Sequence, residues 1–242
     1  VDQALHHARP CNLRYRHSMR QEYSRQLQDV SDDLHRMTEL IGVAIVDATA
    51  ALLTGDLEKA QRVIDADASI NEINVRIEEK CLMIAALQAP VATDLRLVMG
   101  SIRMAASLER MGDLASHIAK QVRLRYPNPS IPQELHRTFE QMGVAAKAIV
   151  DATGRVVATK DTDLATEIKR YDDTLDDLHR DLFTAVLSES CSHGVEAAID
   201  VTLLSRFYDA QAGQILLDGE RFGDHAVTVA RRIKHVVTGE PY

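Results

Sequence analysis

One feature constrains this chain more than any other: its apolar residues recur every three or four positions over stretches far longer than a turn. Leu27, Val30, Leu34, Met37, Ile41, Ala44, Ala48 and Leu52 form one such stripe. This is the spacing of a helix with one buried face, and it excludes the two-residue alternation of a strand. Gly55 ends that helix and Asp56 is placed to open the next. A second stripe runs through Ala60, Val63, Ile70, Ile73, Ile77, Cys81 and Ile84, and Pro90 stops it from the first turn of a third helix. The third stripe is Leu97, Met104, Leu108, Met111, Ala115, Ile118 and Val122. Only six prolines interrupt 242 residues, and four of them lie in or beside the breaks at Pro90 and Tyr126–Pro132.

The second half repeats this plan. The spacing predicts helices over roughly 133–159, 161–188 and 193–237. Thr54-Gly55-Asp56 overlays Thr159-Lys160-Asp161, and the same offset lays Ile70-Asn71-Glu72-Ile73 on Leu175-Asp176-Asp177-Leu178. A repeat of about 105 residues follows. The fold class is all-α: two tandem three-helix bundles, at 19–124 and 133–240. Residues 1–18 are expected to be a disordered extension.

Charge narrows the function. The net charge is −8, and from Met19 onward 25 basic side chains face 35 acidic ones. Such a surface repels nucleic-acid phosphates, so gene regulation would pass through another protein. Cys11, Cys81 and Cys191 are isolated, as expected of reduced thiols in the cytoplasm. No apolar run approaches a bilayer span of about 18 residues, and the first residues lack a secretory core. Phosphate-binding GxxxxGK[ST] loops, Glu-x-x-His pairs and Gly-x-Ser-x-Gly elbows are all missing from the sequence.

The third helix of each half carries the most informative residues. Leu108-Glu109-Arg110-Met111-Gly112-Asp113 and Gly219-Glu220-Arg221-Phe222-Gly223-Asp224-His225 share a Glu-Arg-apolar-Gly-Asp core. Glu and Asp four apart on a helix lie about 5–6 Å from each other and repel; a cation reverses that conflict. Gly112 and Gly223 inside helices each cost about 1 kcal/mol against Ala, which points to close approach at that level. Asp94 can add a third oxygen donor only if helix ends meet. His117 and His225 lie beside the pairs. Asp65, Asp67, Glu72, Glu78 and Glu79, and likewise Asp172, Asp173, Asp176 and Asp177, read as solvated or interface faces.

At these residues the chain resembles the PhoU family of phosphate-transport accessory and regulatory proteins. Pro90-Val91-Ala92-Thr93-Asp94-Leu95-Arg96, the paired motifs Glu109/Asp113 and Glu220/Asp224, and Arg221-Phe222-Gly223-Asp224-His225-Ala226 carry the resemblance. It implies a non-enzymatic cytoplasmic homodimer that binds metal ions, iron or zinc first and manganese or magnesium next. The metal ligands it implies are Asp94, Glu109, Asp113, Glu220 and Asp224. It further implies an adaptor between the ATPase subunit of a phosphate ABC transporter and a phosphate-sensing histidine kinase. That adaptor represses the phosphate regulon when phosphate is ample and meets the membrane only through partners. A metal-dependent enzyme using the same carboxylates, and a plain helical scaffold, stay open as readings of the residues themselves.

The sequence departs from the family pattern in the 1–18 extension and in an insertion of about 11 residues over 210–220, three helical turns at 3.6 residues each. The insertion leaves open whether Asp209 or Glu220 opens the second motif. Glu220 is favoured, because Gly213 and not an acid lies four residues after Asp209.

Overall fold

The computed structural model describes the backbone of residues 11–161, 163–187, 194–208 and 222–239, and their side chains other than at 11–20, 165, 186–187, 194–196 and 222–225. Among these residues seven helices form, with no strand. They are α1 (Cys11–Thr54), α2 (Leu57–Gln88), α3 (Ala92–Arg125), α4 (His136–Thr159), α5 (Leu164–Leu187), α6 (Gly194–Tyr208) and α7 (Phe222–Thr238). A single 3-10 turn, Gln133–Leu135, leads into α4.

Every member of the predicted α2 stripe is buried. The turn chemistry also agrees. Gly55 takes φ +67 after α1, and the Asp56 carboxylate accepts a hydrogen bond from the Lys59 N–H at 2.9 Å, satisfying one orphan donor of the helix start. At the equivalent place in the repeat Lys160 takes φ 57, and Asp161 accepts from the Asp163 N–H at 2.9 Å.

Three expectations are corrected. Residues 11–18 are not a disordered extension but the opening turns of α1. No glycine or proline falls between Cys11 and Ile41, so extending an existing helix adds one bond per residue without a new nucleus. Pro90 precedes α3 and does not sit in its first turn, because Ala89 at φ 44 and an extended Val91 turn the chain first. The expected sixth helix is described as two, α6 and α7, and the insertion between them lies outside the described residues. One further point qualifies the membrane reading. α1 does hold an 18-residue window apolar enough to cross a bilayer, but 56% of it is buried inside the fold.

The bundles are α1–α2–α3 and α4–α5 with α6 and α7, and they share one continuous core. α1 packs on α4 and α3 on α7. Glycines set the α1–α4 distance. A Cβ on Gly143 would lie 2.5 Å from Thr49 Cγ2, and one on Gly154 would lie 2.8 Å from Thr38 Oγ1. Thr49 cannot rotate away cheaply: its hydroxyl donates to the Ile45 carbonyl and meets the buried Tyr208 hydroxyl, both at 2.8 Å.

This geometry separates two glycine substitutions. Gly143→Ala should lower stability by about 1–3 kcal/mol, the usual cost of overpacking, even though alanine is the better helix former. Gly42→Ala meets the flexible end of Lys147 at 3.4 Å and Val150 Cγ1 at 3.6 Å, an ordinary contact, and should be neutral or gain up to ~1 kcal/mol. Urea unfolding of both variants beside the parent checks the pair.

Candidate functional site on the α2–α3 face

Gly112 does what its cost suggested. Its position on α3 faces α2 so closely that a Cβ would come within 2.8 Å of Ile70 Cδ1 and 3.6 Å of Asp67 Oδ1. The two helices therefore meet with Asp67 of α2 level with the Glu109–Asp113 pair of α3.

Three carboxylates share this groove. Burial, then Asp113 and Asp67, pushes the Glu109 carboxyl above its ordinary range, with Arg110 opposing. Burial, then Asp113, pushes Asp67 up likewise, with Lys120 opposing. Asp113 is held by Arg110 Nη1 at 3.3 Å. Asp67 Oδ1, and Asn71 Oδ1 one turn on, are buried without a hydrogen-bond donor. Buried acceptors are nearly always satisfied, so two orphaned oxygens beside repelling carboxylates mark this groove. His117, one turn beyond Asp113, is half-buried with its ring 5.4 Å from that of Phe207 on α6. Burial and then Lys120 lower its pKa, against Asp113.

Asp94 is not brought to this group. It occupies the first turn of α3, fifteen residues before Glu109, or about 22 Å of helix. Its neighbour is Tyr23 of α1, whose phenol is pushed up to about 12 by burial and then by Asp94. α3 runs unbroken from Ala92 to Arg125, so no bend returns Asp94 to the pair. Glu220 lies outside the described residues. Asp224 falls on α7, but its side chain and that of His225 are likewise outside them.

Of the acids expected on solvated or interface faces, Asp67, Asp172 and Asp176 are buried or half-buried. Asp172 is 5% exposed and Asp176 is half-buried. They stand 105 residues after Asp67 and Asn71, the repeat offset. His179 is buried one turn further along, its ring stacked 6.3 Å from Phe183. The signal was present: Asp67 falls four residues after Val63 and three before Ile70, inside the apolar stripe. Asp172 sits the same way between the buried Ile168 and Leu175. Asp65, Glu72, Asp173 and Asp177 are exposed, as expected.

The donors are hard oxygens, a set that suits divalent cations. Among the described residues no three His, Cys, Asp or Glu side chains converge tightly enough to hold an ion as they stand. Asp113 is engaged by Arg110 instead.

A helical protein of two repeated bundles, with an acidic pair on α3 whose motif the sequence repeats in its second half, is thus the class this molecule defines. The PhoU domain matches it twice, at residues 34–122 and 139–233. The phosphate-specific transport system accessory protein PhoU homolog 2 of Mycobacterium tuberculosis is 44% identical over 221 residues, covering 91% of this chain and 99% of that protein. The PhoU homolog of Rhizobium meliloti is 31% identical, covering 84% and 83%. The crystal structure of PhoU from Pseudomonas aeruginosa superposes with a TM-score of 0.74 at 27% identity, over 90% of this chain and all of that one. The chain belongs to the PhoU family, whose members are named accessory and regulatory proteins and not enzymes.

The raised carboxylates give a sign for pH. An acid whose folded pKa exceeds its unfolded value weakens the fold as pH rises from about 4 through the folded value. In protein kept free of metal by a chelator, Asp67→Asn should raise Tm at neutral pH. The relief of a like-charge contact, a few tenths of a kcal/mol, is about 1–2 °C for a chain this size. The gain should vanish below about pH 4; thermal melts across pH 3.5–8 test it.

Proposed function

We propose that this protein is a metal-binding regulator of phosphate uptake and phosphate-starvation signalling. A role in regulating phosphate transport rests on the relatives' names, at 44% identity over nearly the whole chain. The finer reading rests on one observation: the unsatisfied oxygens of Asp67 and Asn71, facing carboxylates whose burial and mutual repulsion favour their neutral forms. A divalent cation, iron or zinc first and manganese or magnesium next, supplies the missing positive charge. Asp67, Glu109 and Asp113 hold it with Asn71; Asp172, Asp176, Glu220 and Asp224 form the corresponding set in the second bundle.

The residues' own part is mechanical. A bound cation would offset the repulsion between α2 and α3 and would compete with Arg110 for Asp113. Arg110, half-buried beside it, would then be available to a partner. The protein acts in the cytoplasm as a homodimer. It links the ATPase subunit of a phosphate ABC transporter to a sensor histidine kinase, represses the phosphate regulon when phosphate is ample, and touches the membrane only through these partners.

Elemental analysis of purified protein tests the reading. The parent chain should carry metal, Glu109→Ala/Asp113→Ala should lose the share of the first bundle, and Glu220→Ala/Asp224→Ala the rest. Asp67→Ala should weaken the first site at least tenfold, whereas Asp94→Ala should leave stoichiometry unchanged. A parent chain that takes up no metal even after reconstitution would sink the metal reading and leave a helical adaptor with acidic contact faces.

A further inference from the structure

Where the two bundles meet, α1, α3, α4 and α7 enclose a cavity of about 210 Å³. Its walls include the buried Leu34, Met104, Val157 and Ile233, one apolar side chain from each of the four helices. Three polar side chains interrupt this lining: Ser31 of α1, Ser101 of α3 and Lys160 at the end of α4. The helix registers put them at one level. Thr38 of α1 faces Gly154 of α4, and six residues further along this antiparallel pair Lys160 stands level with Asp32, beside Ser31. Tyr23 of α1 faces Asp94 of α3, and seven residues further along this parallel pair Ser101 stands level with Val30, again beside Ser31. α4 ends at Thr159, so its cover over α1 stops at this level, and the exposed Ser24 and Gln28 form the mouth.

We propose that this cavity binds a small organic acid with an apolar tail, a free monocarboxylate of about eight carbons. Unsatisfied donors are the first argument. Ser101 is 1% exposed, and among the described residues neither its hydroxyl nor that of the half-buried Ser31 has a hydrogen-bond partner. Buried hydroxyls are nearly always satisfied, so two of them at one level of one cavity mark the place of a ligand's polar group. Charge is the second argument. Lys160 is the one charged side chain of the lining among the described residues, and it forms no ion pair with any of them. A carboxylate gives the ammonium and both hydroxyls an acceptor at once. Size and polarity are the third. An apolar cavity of about 150 Å³ takes benzene, so one of about 210 Å³ takes a slightly longer apolar tail. Inorganic phosphate is excluded by the same walls, because its dianion would lose hydration against Leu34 and Val157 with one lysine to offset the loss. The cavity shares no lining residue with the α2–α3 groove, so a cation there and an acid here are separate ligands. Because the acid would touch α1 and α3 of one bundle and α4 and α7 of the other, it stabilises their packing on each other.

Isothermal titration calorimetry of the full chain with octanoate tests the site. One octanoate should bind per chain and raise the thermal midpoint. Lys160→Met should weaken octanoate about tenfold or more, the loss of one charge-assisted hydrogen bond, and leave the affinity for octanol unchanged. Ser31→Phe, which fills the cavity at the level of the lysine, should abolish both. Lys147→Met, the same change in the middle of α4 and outside the cavity, should alter neither. Should Ser31→Phe fail to fold, Ser101→Ala carries the test with a loss of octanoate affinity of about fivefold, the usual weight of one hydrogen bond. A chain that binds no octanoate saturably overturns the site, as does an affinity that survives Lys160→Met and the serine substitutions. Tighter binding of octylamine or of inorganic phosphate overturns the class of ligand.

Discussion

The close approach of α1 and α4 is the constraint from which the rest of the architecture follows. Gly154 meets Thr38 and Gly143 meets Thr49, so the contacts recur eleven residues apart on both helices. Eleven residues are three turns, which keeps one face of each helix on the other over about 16 Å. Each bundle's first helix is thereby the other bundle's neighbour, and the remaining helices are placed by what is left. α2 and α3 pack on α1, α5 and α7 on α4, and α3 meets α7 where a Cβ on Gly100 would come within 2.9 Å of Val236. α6 is pinned across this arrangement. Asp200 accepts from Gln121 and Arg125 of α3 at 3.0 and 2.6 Å, and Tyr208 closes on Thr49.

That packing surrounds α3 on three sides and leaves it one narrow outer stripe. Polar residues on such a stripe are neither solvated nor fully enclosed, the condition in which a nearby charge acts most strongly. Asp33 and Asp200, also drawn inward, have cationic partners. Asp33 faces Arg76 and Lys80 at 3.2 and 2.6 Å, and Asp200 faces Arg125. The α2–α3 groove is different, because three carboxylates there answer to Arg110 and a more distant Lys120. Neutral residues would have packed with less cost, so the excess negative charge points to a function for the groove and not to a need of the fold.

The helices were legible because each buries one face, and the period of three and four residues reports that directly. The whole α2 stripe and the capped turn at Gly55–Asp56 stood in the sequence for this reason. The pairing of Glu109 with Asp113 was legible too, since it depends only on helix geometry. Asp67 was not, because its role depends on which face of α2 meets α3, a tertiary fact. A carboxylate interrupting an apolar stripe could have exposed it, and did so twice at one offset. Asp94 misled in the opposite way. It shares a helix with Glu109, but helix membership says nothing about proximity over fifteen residues.

The two halves repeat the architecture without repeating the charge. Where α2 offers Asp67 and Asn71, α5 offers Asp172 and Asp176, so the second acidic face carries one more carboxylate. Affinity for a hard cation rises with the number of charged ligands, provided they are held in place. The first bundle meets the second condition: Glu109 and Asp113 ride on one uninterrupted helix, fixed at Gly112 against α2. In the second bundle Asp224 falls in the first turn of α7, while Glu220 is the last residue of the insertion and lies outside the described residues. Glu109 and Asp113 keep their spacing through α3, so on the proposed reading the first groove needs only the release of Asp113 from Arg110 to take an ion.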